Sequence, residues 1–104
     1  MNYLLLGKES FLSHLEMYKP SYLYISIQIK PFNNVSDKAT LWASFRASDG
    51  QIVIFRSESV SVVDPKKDVA PLQGIEAELR EFIASRQLGC TIKEGLLLYR
   101  LSDL

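Results

Sequence analysis

The chain has 104 residues, 47% of them hydrophobic and 23% charged, the profile of one folded domain spanning residues 1–104 rather than of a disordered or low-complexity chain. Twelve basic and twelve acidic side chains cancel, so the chain lacks the positive field that draws most nucleic-acid binders to phosphate, and nucleic acid is disfavoured as a partner. The lone cysteine, Cys90, has no disulfide partner, Leu4 to Leu6 are too short for a leader, and no apolar run spans a membrane; a cytoplasmic setting without membrane contact is expected.

Residues 1–7 hold Tyr3, three leucines and Gly7, and suit either a short strand or the opening turn of a helix. Phe11, Leu12, Leu15 and Tyr18 then recur at three- and four-residue spacing. Ser10 is placed to cap and Pro20 forbids continuation, which predicts a short amphipathic helix over 9–18. Leu23, Ile25, Ile27 and Ile29 alternate with Tyr22, Tyr24, Ser26, Gln28 and Lys30, the period-two pattern of a strand with one face in the core. Residues 31–37, with Asn33-Asn34, make a loop.

Two β-prone runs flank Asp49-Gly50, a pair suited to the positive φ of a two-residue type I′ turn. Counting outward from that turn sets Ala47 opposite Ile52, Phe45 opposite Ile54, Ser44 opposite Phe55 and Trp42 opposite Ser57. Leu41, Ala43, Phe45, Ala47, Ile52 and Ile54 then share the core face. Trp42, Ser44, Arg46, Val53, Phe55, Ser57, Ser59 and Ser61 share the outer one, continued by Tyr22, Tyr24, Gln28 and Lys30. Arg56 and Glu58 fall on core parity, where a bulge or a wet strand tip accounts for them better than a buried ion pair, since desolvating both charges is costly.

Pro71 suits a first helical turn, and Leu72, Ile75, Leu79, Phe82, Ile83 and Arg86 form an inner stripe. Glu76 and Arg80 are spaced to pair outside, and Gly89 is a stop, so a helix over 71–88 is expected to cover the sheet. Leu96 to Leu101 is a continuous apolar run of strand length, suited to a strand packed on both faces or to a dimer seam.

Residues with catalytic chemistry are sparse. His14 alone makes no multi-histidine metal site, and Cys90 follows a helix C-terminus, where the dipole disfavours a thiolate. The five glycines stand too far apart for a phosphate loop, and Ser57, Ser59 and Ser61 have no histidine or lysine at a nucleophile's spacing, so they read as solvent-facing serines. No enzyme activity, cofactor or metal is expected.

Three antiparallel strands, a helix and a further strand resemble the opening half of the ribonuclease H fold, with Trp42 through Arg56 similar to its second and third strands. The resemblance implies acids on the first strand, the helix and the fourth strand. Glu78 and Asp103 suit the latter two places, while the first strand offers Ser26, Gln28 and Lys30, so an inactive relative is implied. A helix, three strands and a helix is also similar to double-stranded RNA-binding domains, with Lys66 and Lys67 placed like phosphate-contacting lysines, among the acids Asp64, Asp68, Glu76 and Glu78.

The expected fold is α+β: an antiparallel sheet of about four strands, helix 71–88 on its core face and a short N-terminal helix. The expected core is Leu23, Ile25, Ile27, Ile29, Leu41, Phe45, Ile52, Ile54, Leu72, Ile75, Leu79, Phe82, Ile83 and Leu98. The expected function is a non-catalytic interaction module whose aromatic face, Tyr22, Tyr24, Trp42, Arg46 and Phe55, binds a protein partner or a second copy as a homodimer. Base stacking on those aromatics is the alternative use, and folding of the N-terminal helix over them is the alternative that would close the face.

Overall fold

The computed structural model describes residues 3–95. The elements run β1 (Tyr3–Leu6), α1 (Lys8–Tyr18), β2 (Tyr22–Pro31), β3 (Asp37–Arg46), β4 (Ile52–Arg56), β5 (Val60–Val62), α2 (Pro65–Asp68), α3 (Ala70–Ser85) and β6 (Thr91–Glu94). The α+β class holds, but the sheet is mixed and has six strands, ordered β1-β4-β3-β2-β6 with β5 also on β3. β2, β3 and β4 form the expected antiparallel meander. The strands at its edges, β1 on β4 and β6 on β2, are both parallel additions. The apolar run from Leu96 to Leu101, the core assignment of Leu98 and the acid Asp103 lie outside the described residues.

Helix α1 starts one residue earlier than its periodicity suggests, with Gly7 rather than Ser10 at the cap and no side-chain cap bond. Ser10 sits inside the helix, its carbonyl 2.7 Å from His14 Nδ1. Lys19 closes the helix in the left-handed conformation, with its N–H on the Leu15 carbonyl. The helix expected over 71–88 is longer at its start and shorter at its end. Pro65 opens a first turn capped by the Asp64 side chain, the chain bends at Val69, and α3 continues from Ala70 to Ser85 with Pro71 in its first turn.

The hairpin departs from expectation by one residue. Ala47 N–H donates to the Gln51 carbonyl and Gly50 N–H to the Ala47 carbonyl, so the loop is Ser48-Asp49-Gly50, with Gly50 at φ 89°. This is the three-residue loop with a left-handed glycine, not the two-residue turn. Phe45 therefore faces Val53, and Trp42 faces Arg56. Because side chains alternate strictly, that slip exchanges the two faces of β4. Val53 and Phe55 join the core with Leu41, Ala43 and Phe45, whereas Ile52 and Ile54 lie on the opposite face with Trp42 and Ser44. The slip carries Arg56 off core parity, and the expected bulge follows it: between the pairs Trp42–Arg56 and Ala39–Val60, residues 57–59 stand opposite only two residues of β3.

Both helices lie on the Phe45 face. Phe11 of α1 packs 5.5 Å from Phe45 and 5.9 Å from Phe55, ring centre to ring centre. Leu72, Leu79 and Ile83 of α3 join the same cluster as Leu23, Ile25 and Val53. Ile75 and Phe82 are partly buried against it, and Arg86 lies outside with its guanidinium over the Phe82 ring. The two helices run side by side and parallel, tied at one end by Lys8 to Glu78 and at the other by Glu16 to Arg86, each at 2.9 Å. Glu76 and Arg80 pair along α3 as their spacing suggests. Ile29, expected in the core, is exposed: β2 runs beyond the helices there.

Beyond Arg56 the chain steps out of β4 and then continues in the same direction along β3 as β5. Ser57 makes that step and is buried, not solvent-facing: its Oγ accepts from Leu41 N–H at 2.9 Å and donates to the Glu58 carbonyl at 3.0 Å.

Candidate functional site

The second sheet face carries three of the five residues that the sequence groups as a partner-binding surface, together with Trp42 beneath it. Tyr22 is exposed at its edge, and its ring lies 6.5 Å from that of Tyr24 and 4.2 Å from Lys93 Nζ. Tyr22, Tyr24 and Arg46 line one shallow cleft with Pro20, Ser21 and Ala47, of about 350 Å³. Arg46 reaches the Gly50 carbonyl at 3.4 Å, which holds its stem against the hairpin.

Trp42 is on the same face but only 4% exposed, with the Arg56 guanidinium 5.6 Å from its ring centre. Phe55 is not on this face at all. The one-residue register shift turns it into the core against Phe11, so it is removed from the surface that the sequence assigns to it. Helix α1 covers Phe55 but not Tyr22, Tyr24 or Trp42, because its apolar stripe of Phe11, Leu12 and Leu15 is spent on the opposite face.

At the other end of this face lies a larger cleft, about 520 Å³, lined by Gln28, Lys30, Lys38, Thr40, Trp42, Arg56, Ser57, Glu58 and Ser59. Its three cations meet one acid. Lys38 also lies 4.7 Å from the Phe32 ring centre, and Thr40 Oγ1 is 2.7 Å from Ser59 Oγ. The sequence already groups Gln28, Lys30, Trp42, Ser57 and Ser59 on one face; Arg56 and Glu58 join them because the register differs from the expected one and the chain steps out between β4 and β5.

Charge is thus divided between the layers, although the chain is neutral overall. Lys30, Lys38, Arg46, Arg56 and Lys93 border the second face. Glu9 and Glu16 of α1 and Glu76, Glu78 and Glu81 of α3 belong to the helical layer across the sheet, where Lys8, Arg80 and Arg86 pair with three of them. Net charge alone hides this division.

The groups weighed for chemistry are dispersed. Glu78 is tied to Lys8, whose ammonium is held above its ordinary range chiefly by the hydrogen bond to that carboxylate. Asp68 caps the start of α2 from inside, accepting from Val63 N–H at 2.9 Å and Asp64 N–H at 3.0 Å. Those bonds pull its carboxyl below the usual range. Burial pushes the Cys90 thiol up. Lys66 and Lys67 lie within the short helix α2, between Asp64 and Asp68. Among the described residues no three His, Cys, Asp or Glu side chains gather as metal ligands, and no helix is long and apolar enough to cross a membrane. No family model, curated protein or solved structure matches the chain.

Proposed function

We propose that the chain is a non-catalytic interaction module that grips an acidic segment of a protein partner on its second sheet face. The observation that carries this reading is the excess of cations on that face: Lys30, Lys38, Arg46, Arg56 and Lys93 border it beside half-exposed tyrosines, with Glu58 as the acid of the larger cleft. Tyrosine and arginine bury large area at low entropic cost, and a basic rim raises the encounter rate with an acidic surface. Base stacking is the weaker use of the same residues. It needs an open ring face, and Trp42 is buried while Tyr22 is already occupied by Tyr24 and Lys93.

The test is affinity capture with the full chain and with the double variant Tyr22→Ala, Arg46→Glu. The wild type is expected to retain a partner of low isoelectric point that elutes with rising salt, and the variant to lose it. Identical capture by both proteins, or tight binding of single-stranded oligonucleotides by the wild type, overturns the reading.

A further inference from the structure

The larger cleft on the second face concentrates positive charge at one point. Lys30 on β2 and Lys38 on β3 stand directly opposite each other in the antiparallel ladder, and both share the face of Thr40 and Trp42. Like charges placed directly across a ladder oppose strand pairing. Arg56, opposite Trp42 on the strand at the other side of β3, brings a third cation to the same cleft. Among the described residues the carboxylate of this cleft is Glu58, which leaves an excess of two positive charges.

Aromatic rings hold two of these cations. Lys38 Nζ lies 4.7 Å from the Phe32 ring centre, and the Arg56 guanidinium lies 5.6 Å from that of Trp42. Such contacts orient a cation without cancelling its charge. Hydroxyls complete the lining. Thr40 Oγ1 and Ser59 Oγ are 2.7 Å apart, so one hydroxyl hydrogen serves the bond between them and the other remains to donate to a ligand. Ser57 has no such hydrogen to give, because its own is donated to the Glu58 carbonyl.

This set of donors discriminates among acidic groups. A carboxylate brings one charge and two oxygens. A phosphate monoester brings about −1.5 to −2 at neutral pH and three strong acceptor oxygens, which matches both the excess charge and the clustered donors. The phosphodiesters of a nucleic acid carry one charge each and repeat along a strand, whereas the cleft is a single cluster, and Trp42 at 4% exposed presents no open ring face to a base. At about 520 Å³ the cleft has room for a phosphorylated side chain.

We infer that this cleft binds a phosphate monoester carried on a side chain of the partner segment, its oxygens bridging Lys30, Lys38 and Arg56 and accepting from the hydroxyl pair of Thr40 and Ser59. The inference rests on the reading of the second face as a surface for an acidic segment, and it names the acidic group. The bound phosphate replaces the repulsion between the two opposed lysines with two attractions.

Trp42 is the single tryptophan, so its indole N–H gives one resonance in a proton–nitrogen correlation spectrum and reports on the cleft it lines. The full chain is titrated with N-acetyl-O-phosphoserine amide and, in parallel, with the blocked serine, the blocked glutamate and inorganic phosphate, all at constant ionic strength and neutral pH. A saturable shift is expected with the blocked phosphoserine and not with serine or glutamate, weakening as pH falls through about 6, where the phosphate takes up its second proton. Lys38→Gln and, separately, Lys30→Gln are expected to keep the fold and to weaken binding by about fivefold or more. Absence of a saturable response to phosphoserine, an equal response to glutamate, or unchanged affinity in both folded variants overturns the inference. Tighter binding of inorganic phosphate than of the blocked phosphoserine overturns the assignment to a partner's side chain. Sedimentation with vesicles of phosphatidylserine and phosphatidylcholine, without a phosphoserine response, gives the cations to a membrane surface and overturns it as well. The capture experiment depends on Tyr22 and Arg46 in the other cleft and the titration on neither. Capture without a phosphoserine response therefore leaves the acidic-segment reading standing alone, and a response without capture leaves the phosphate site standing.

Discussion

Phe45 lies directly opposite Val53 across the central hairpin, one residue out of step with the pairing that a two-residue turn would impose. The loop Ser48-Asp49-Gly50 sets this register, and Asp49 steadies it by accepting from Gln51 N–H at 2.9 Å. What β4 contributes to the second face depends on that step, because it sends Phe55 inward and Ile54 outward.

Gly50 should therefore resist substitution for backbone reasons alone. A Cβ there meets no atom within 4 Å, yet φ is 89°. Gly50→Ala is expected to lower stability by about 1–2 kcal/mol through left-handed strain, whereas a steric cause is absent. Urea unfolding checks this; an unchanged midpoint would contradict the loop assignment.

Phe55 and Tyr22 should behave in opposite ways. Phe55→Ala removes a core ring packed on Phe11 and should cost about 3–5 kcal/mol, while Tyr22→Ala, at the exposed rim, should cost less than about 1 kcal/mol. Equal losses for the two variants would return Phe55 to the surface, and with it the two-residue turn.

Ser57 is a small residue with a large expected effect. Its hydroxyl accepts the Leu41 N–H where β4 has ended and no ladder partner remains. Ser57→Ala should cost about 1–3 kcal/mol by leaving that donor unpaired, and Ser57→Thr should recover part of the loss. Thermal unfolding of both variants, with Ser59→Ala as an exposed control, makes the comparison.

The acid side of the stability profile should carry the signature of Asp68. Its folded-state pKa is depressed by two backbone N–H donors, so the wild type holds its advantage over Asp68→Ala above the ordinary carboxylate range. That advantage shrinks as pH falls through the unfolded value toward the folded one, and it vanishes below both. An advantage that grew on acidification would reverse the sign and refute the two bonds.

Cys90 should alkylate slowly at neutral pH, since burial raises its thiol, and faster in urea, where the chain loses that environment. The ratio of the two rates with iodoacetamide measures the protection.

Local pattern alone identifies the meander strands and the main helix. The alternation from Tyr22 to Lys30 marks β2, the stripe Leu72, Leu79 and Ile83 marks α3, and Asp49-Gly50 marks the hairpin tip. These are properties of neighbours in sequence, set by side-chain period and turn chemistry. Three further properties needed the tertiary structure. β1 remained ambiguous because Tyr3 to Leu6 lacks a local partner and becomes a strand by pairing with β4, roughly fifty residues away. The cationic cleft gained Arg56 from the shifted register, and Glu58 and Ser59 from the step between β4 and β5 along β3. Above all, an apolar run such as Ile52 to Phe55 fits either face equally well, since Ile, Val and Phe are all suited to burial. Which two of the four meet Phe11 was decided by how one glycine closes its loop and by the helix that packs over the result.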